Sequence, residues 1–184
     1  MSSYPIEPSK LLDAAELLSP AAVGRGRPPY TAHRRAVSTA YYAVFHAVSG
    51  RVVETVFPSA DEAFRRGVRR WIGHGDVEAV SGWASRIVGT AGGVPPPHIV
   101  KLLAPAGGMT HVDADTVKIA DGFLELLDKR EAADYDHDAV FTRRDTRAHI
   151  ALARDVVAVT DAAQSDAALR FFGLIGMRAK IQAR

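Results

Sequence analysis

Residues 34–50, RRAVSTAYYAVFHAVSG, decide the fold. At helical spacing the stretch carries three stripes. Arg35, Ser38, Tyr42, His46 and Ser49 step by three and four and form a polar face. Ala36, Ala40, Ala43 and Ala47 form a neighbouring stripe of small residues, and Val37, Tyr41, Val44 and Val48 an apolar one. Small side chains let another helix approach closely. A polar row beside them must be solvated, paired or lining a site, because an unpaired polar group in a core is costly. The stretch predicts a tightly packed central helix with one face reserved for polar work.

Outward from this stretch the pattern stays helical. Residues 9–18 read as a short amphipathic helix ended by Ser19-Pro20. Gly24, Gly26, Pro28 and Pro29 make a loop, basic through Arg25 and Arg27. The central helix spans about 31–56 and Pro58 stops it. Ser59 and Glu62 read as a capping box opening a helix that carries Arg65, Arg66, Arg69 and Arg70 and stops near Gly73. Asp76 reads as the cap of a further helix reaching Ile87. Two Gly/Pro loops follow, over 89–97 and 104–108. Asp113 opens a helix with Val117, Ala120, Leu124 and Leu127 on one side, which frays around 134–138. Thr142 reads as the cap of a helix to about Thr160, with Ile150, Ala153, Val157 and Ala158 facing inward. Ser165 starts a last helix, in which Phe171, Phe172, Leu174 and Ile175 form a packing surface for the bundle or for a partner subunit. No internal repeat is visible. The expectation is one all-α domain over residues 1–184.

Composition narrows the function classes. The 184 residues are 47% hydrophobic and 24% charged, ordinary for a globular domain that buries a full core. A formal charge of +2 argues against a protein that coats nucleic acid, while leaving room for a local basic patch. With no cysteine, disulfides and thiolate metal sites are excluded. Glu7, Asp13 and Glu16 do not suit a signal peptide, and the apolar run over 171–177 is too short to span a bilayer. A cytoplasmic protein without a membrane partner is expected.

Three segments resemble one family. The run R-A-V-S-T-A-Y-Y-A-V-F-H over residues 35–46 resembles the signature helix of HEPN-domain proteins. K-R-E-A-A-D-Y-D over 129–136 is similar to the R-x-x-A-D-Y-D stretch of one prokaryotic branch of that family. Between them, R-R-W-I-G-H-G-D-V over 69–77 is similar to its basic-aromatic-x-x-His-Gly segment. The resemblance covers roughly residues 30–160. It implies an antiparallel HEPN-like helical bundle, with extra terminal helices here, usually dimeric. Many members are metal-independent ribonucleases of toxin–antitoxin, phage-defence or RNA-processing systems. Their site is an Arg followed by four to six residues and a His, with two copies facing across the dimer cleft. Other members have lost catalysis and serve as binding or scaffold modules. Some are silenced by a partner nucleotidyltransferase that modifies a Tyr two residues after the His. Asp76 stands at that position here.

The chemistry fits those residue types. Cleavage of RNA through the 2′-hydroxyl needs a base, an acid and a cation on the phosphate. His serves as acid or base near neutral pH, and Arg grips phosphate as a fork. No cofactor or metal is required. With 18 Arg and 7 His, about two chance pairs at the allowed spacings are expected, so spacing alone does not choose. Five pairs occur: Arg27–His33, Arg69–His74, Arg130–His137, Arg143–His149 and Arg144–His149. Context favours Arg69 with His74, where Gly73 and Gly75 leave backbone room for a phosphate. Arg65, Arg66 and Arg70 add local positive charge and Trp71 a face for base stacking. Arg70 is an alternative to Arg69. Arg144 with His149 is the second choice, although five residues of helix turn the two side chains about 140° apart. Ser38, Tyr42 and His46 are the candidates to support the cleft; His46 reads first as a buried, hydrogen-bonded histidine, the sharper alternative being that it lines the same cleft as His74. Asp134, Asp136, His137 and Asp138 read as a solvated turn before a metal site, and Asp134 is spaced to pair with Arg130.

Three functions follow. A homodimeric endoribonuclease predicts His74 and an Arg of the 65–70 cluster converging on a cleft that takes RNA. A non-catalytic module, with an antitoxin or defence-system partner, predicts His74 turned away. A small-molecule or nucleotide-binding helical domain predicts the Ser38–Tyr42–His46 stripe lining a closed pocket.

Overall fold

The computed structural model describes residues 6–19, 30–104 and 112–182, with side chains as far as Arg178. The loop with Arg25 and Arg27, and His111, lie outside the described residues. Those described form eight helices and no strand. These are α1 (Pro8–Leu18), α2 (Tyr30–Val56), α3 (Glu62–Arg69), α4 (His74–Val88), α5 (Pro97–Leu103), α6 (Ala114–Tyr135), α7 (Arg143–Ala162) and α8 (Asp166–Gln182).

The axis of the bundle is α2. It packs on α1, α3, α6, α7 and α8. Its small-residue stripe and its apolar stripe are both buried. A helix buried on nearly every side needs alanines, because α1, α6 and α7 must all come close. The second shell is α4 against α6 and α8. Two glycines mark tight crossings. A Cβ on Gly122 would lie 2.4 Å from Val156 Cγ2, where α6 meets α7. One on Gly176 would lie 2.8 Å from Val56 Cγ2, where α8 meets α2.

Capping chemistry explains the boundaries. Asp113 accepts from Thr116 N at 2.7 Å, Thr142 and Asp145 form a capping box, and Ser165 accepts from Ala168 N at 3.0 Å, all as expected. Two starts differ from expectation. Asp61, not Ser59, caps α3, accepting from Phe64 N at 2.9 Å. Gly73 caps α4, and Asp76, at the third helical position, reaches back to accept Gly73 N at 3.0 Å. Between the two Gly/Pro loops, α5 forms with prolines at its start and buries Ile99 and Leu103. On α7, Val156 is buried while Ala158 is exposed. Phe171, Phe172 and Ile175 are completely buried, so their surface packs within the bundle.

Candidate active site

The corner between α3 and α4 builds the site. Four residues separate the two helices, and Ile72 is buried beneath them. Asp76 locks the corner from one side. It is 5% exposed, and Arg178 of α8 faces it at 3.6 Å while lying over the Trp83 ring. This sets His74 in the first turn of α4, over the middle of α2.

The His74 ring stacks on Phe45 with centroids 3.9 Å apart and meets the Tyr42 ring edge-on at 5.8 Å. Its Nδ1 is 2.6 Å from the Tyr41 hydroxyl. Tyr41 is fully buried, and burial pushes its phenol well above the ordinary tyrosine range. The phenol therefore keeps its proton and shares a hydrogen bond with Nδ1, which leaves Nε2 of His74 for a ligand. Burial first, then the Arg130 guanidinium and His46, hold His74 below its ordinary pKa of 6.5.

Beside His74 opens a cavity of about 440 Å³. From α2 come Phe45, His46 and Ser49; from α3 and the corner come Arg66, Arg69 and Arg70. His46 lies 5.6 Å from the Phe45 ring and 6.5 Å from the Tyr42 ring, and burial lowers its pKa. The Ser49 hydroxyl is buried and has no hydrogen-bond partner among the described residues. Arg66 and Arg70 are exposed and make no ion pair among the described residues. Arg69 is mostly buried and holds Glu62 at 3.2 Å, so Arg70 and Arg66 are the arginines positioned to meet an anion. Beyond His46 lies a second hollow of about 450 Å³, where Glu7, Arg51, Glu54 and Asp161 face each other. Burial and Glu54 push the Asp161 carboxyl up.

Other candidates fall elsewhere. Arg65 donates to the Pro58 carbonyl, holding the turn before α3 rather than reaching the cavity. Trp71 is 65% exposed but lines a separate apolar notch with Val56 and Phe57. Ser38 and Tyr42 belong to a network on α6 instead of the cavity wall. Ser38 donates to Asp134 at 3.3 Å, Asp134 pairs with Arg130 at 2.8 Å, and Arg130 donates to the Tyr42 hydroxyl at 3.3 Å. Arg144 and His149 diverge, as the helical turn requires. Arg144 joins Arg143 and Arg147 on an open face, while His149 turns to Glu125 at 4.0 Å. His33 is buried against Ser19, and His137 is exposed. Asp136 accepts from Asp138 N at 2.9 Å, forming a local turn.

The sequence did not single out Tyr41 as a partner of His74, nor Arg130 as a charge felt there. Tyr41 sits in the apolar stripe, and no local pattern marks a hydroxyl whose acceptor lies 33 residues away. No known protein family, curated protein or solved structure matches the chain. Among the described residues no helix is long and apolar enough to cross a membrane.

Proposed function

We propose that the protein is a metal-independent endoribonuclease of the HEPN type, acting on RNA through His74 and the arginines of the α3–α4 corner. The observation that carries the reading is the convergence of His74, Arg66, Arg69 and Arg70 on one cavity. Arginine forks bind a phosphate and stabilise the charge that grows on it during transfer. A histidine with a depressed pKa, held by a buried phenol, is a poised proton-transfer group. The buried Ser49 hydroxyl is a further group that a ligand would satisfy. The three resembling segments add a setting in toxin–antitoxin or phage defence, a homodimer and a cognate partner protein.

One observation favours the binding-module alternative. The stacking of His74 on Phe45 and its bond to Tyr41 also describe a histidine used for packing. Cleavage of labelled single-stranded RNA in EDTA separates the two. Wild type is expected to leave 2′,3′-cyclic phosphate ends, with the rate falling about a hundredfold or more in His74→Ala. No cleavage by wild type would favour the module. Equal cleavage by both would remove His74 from the site.

A further inference from the structure

Two imidazoles share the cavity, and their surroundings differ. His74 stands beside Arg66, Arg69 and Arg70 and feels the Arg130 guanidinium. His46 sits where the two hollows meet. On that second side it faces Glu7 ahead of α1, Arg51 and Glu54 of α2, and Asp161 of α7. His46 has no hydrogen bond among the described residues. His74, in contrast, has Nδ1 taken by Tyr41. Both rings contact the Phe45 ring, with centroids at 3.9 and 5.6 Å, and both line the cavity of about 440 Å³.

We propose that His46 is the general base and His74 the general acid of one cleavage step. The inference rests on the ribonuclease reading above and assigns roles within it. His46 takes the proton of the 2′-hydroxyl. The 2′-oxygen forms a bond to phosphorus, and the bond from phosphorus to the 5′-oxygen breaks. The imidazolium of His74 gives its Nε2 proton to that leaving oxygen. The products are a 2′,3′-cyclic phosphate and a 5′-hydroxyl, with His46 cationic and His74 neutral. Exchange with solvent resets both. Charge placement supports this direction of proton flow. His74 has a cationic neighbour in Arg130, while the shift of His46 comes from burial. The arginines around His74 favour its giving up a proton. Burial lowers the pKa of His46 and so favours its neutral form, which is able to accept.

The signs of the two shifts fix the pH dependence. His46 must be neutral, which holds above its pKa, and His74 must be protonated, which holds below its own. Both pKa values lie under 6.5, so the bell-shaped profile of kcat/KM is expected to peak on the acid side of 6.5. The test is a pH profile of RNA cleavage in EDTA for wild type, His46→Gln and His74→Gln, with urea unfolding of each variant as the folding control. Each variant is expected to lose about a hundredfold or more, His46→Gln with loss of the acid limb and His74→Gln with loss of the alkaline limb. A substrate with sulfur in place of the 5′-bridging oxygen needs no acid, so it should rescue His74→Gln and leave His46→Gln inactive. Rescue of His46→Gln instead would reverse the roles and overturn the proposal. Cleavage by folded His46→Gln at the wild-type rate would overturn it while leaving the ribonuclease reading intact. No cleavage by wild type would overturn both.

Discussion

The two halves of α2 carry one polar stripe and treat it in opposite ways. In the N-terminal half Arg34, Ser38 and Tyr42 have partners on α6 or just beyond it. Arg34 donates to the carbonyls of Ala133 at 2.7 Å, Ala132 at 3.2 Å, Asp136 at 2.8 Å and Ala139 at 3.2 Å. These include carbonyls at the end of α6, which a helix cannot satisfy from within and where a cation also suits the dipole. Ser38 and Tyr42 close the same seam through Asp134 and Arg130. In the C-terminal half, His46 and Ser49 face a cavity and lack hydrogen-bond partners among the described residues. The same sequence periodicity thus makes a clasp at one end and an open site at the other. What differs is whether a neighbouring helix end supplies acceptors.

Four measurements break or sharpen this contrast. The largest effect is expected from Arg34→Ala, which strands several carbonyls. It should lower unfolding free energy by about 3 kcal/mol in urea denaturation, whereas His46→Ala should stay within about 1 kcal/mol. Equal losses would erase the distinction between clasp and site. Next, Arg66→Ala with Arg70→Ala should leave stability within about 0.5 kcal/mol but weaken RNA binding. The slope of log affinity against log salt should fall by about 1.4, the value for two phosphate contacts on a single strand. An unchanged slope would take both arginines off the RNA.

A pH series tests the open half. His46 and His74 have lowered pKa values in the fold, so between those values and 6.5 the unfolded chain binds more protons. Stability should therefore be full above pH 6.5 and decline as pH falls below it, with a shallower decline in His46→Gln. A decline no shallower in that variant would place the titration elsewhere, for instance at His149, which burial also lowers. Within the clasp, a smaller effect than that of Arg34→Ala is expected from Ser38→Ala, about 1 kcal/mol, since Arg130 still holds Asp134. A loss as large as that of Arg34→Ala would show that the clasp acts as one cooperative network.

Much of the fold was legible because its signals are local. The periodicity of residues 34–50 marks a buried helix, and Asp113, Thr142 and Ser165 mark helix starts, since a cap bonds within three residues of itself. Where two acceptors compete nearby, the sequence misplaced the boundary. Ser59 stood in for Asp61, and Asp76 was read as a cap when Gly73 holds that position. The short α5 was not read, because seven residues framed by Gly/Pro loops carry too little periodicity to see. At the site, His74 and its neighbouring arginines were legible as a basic segment. Trp71 and Ser38 lie away from the cavity, Trp71 because the corner turns it to another notch and Ser38 because it sits about two turns up the same stripe, beside α6.

The sequence by itself determined that α2 is central, that the chain is helical, and that a histidine follows a run of arginines without cysteine nearby. Its composition and spacing dictate those features residue by residue. Tertiary structure alone decided that Tyr41 holds His74, that Arg130 charges its surroundings, and that His46 shares its cavity. The physical reason is that pKa, pairing and cavity shape depend on groups meeting through space. The partners here are 28 to 56 residues apart along the chain, with α2, α4 and α6 bringing them together.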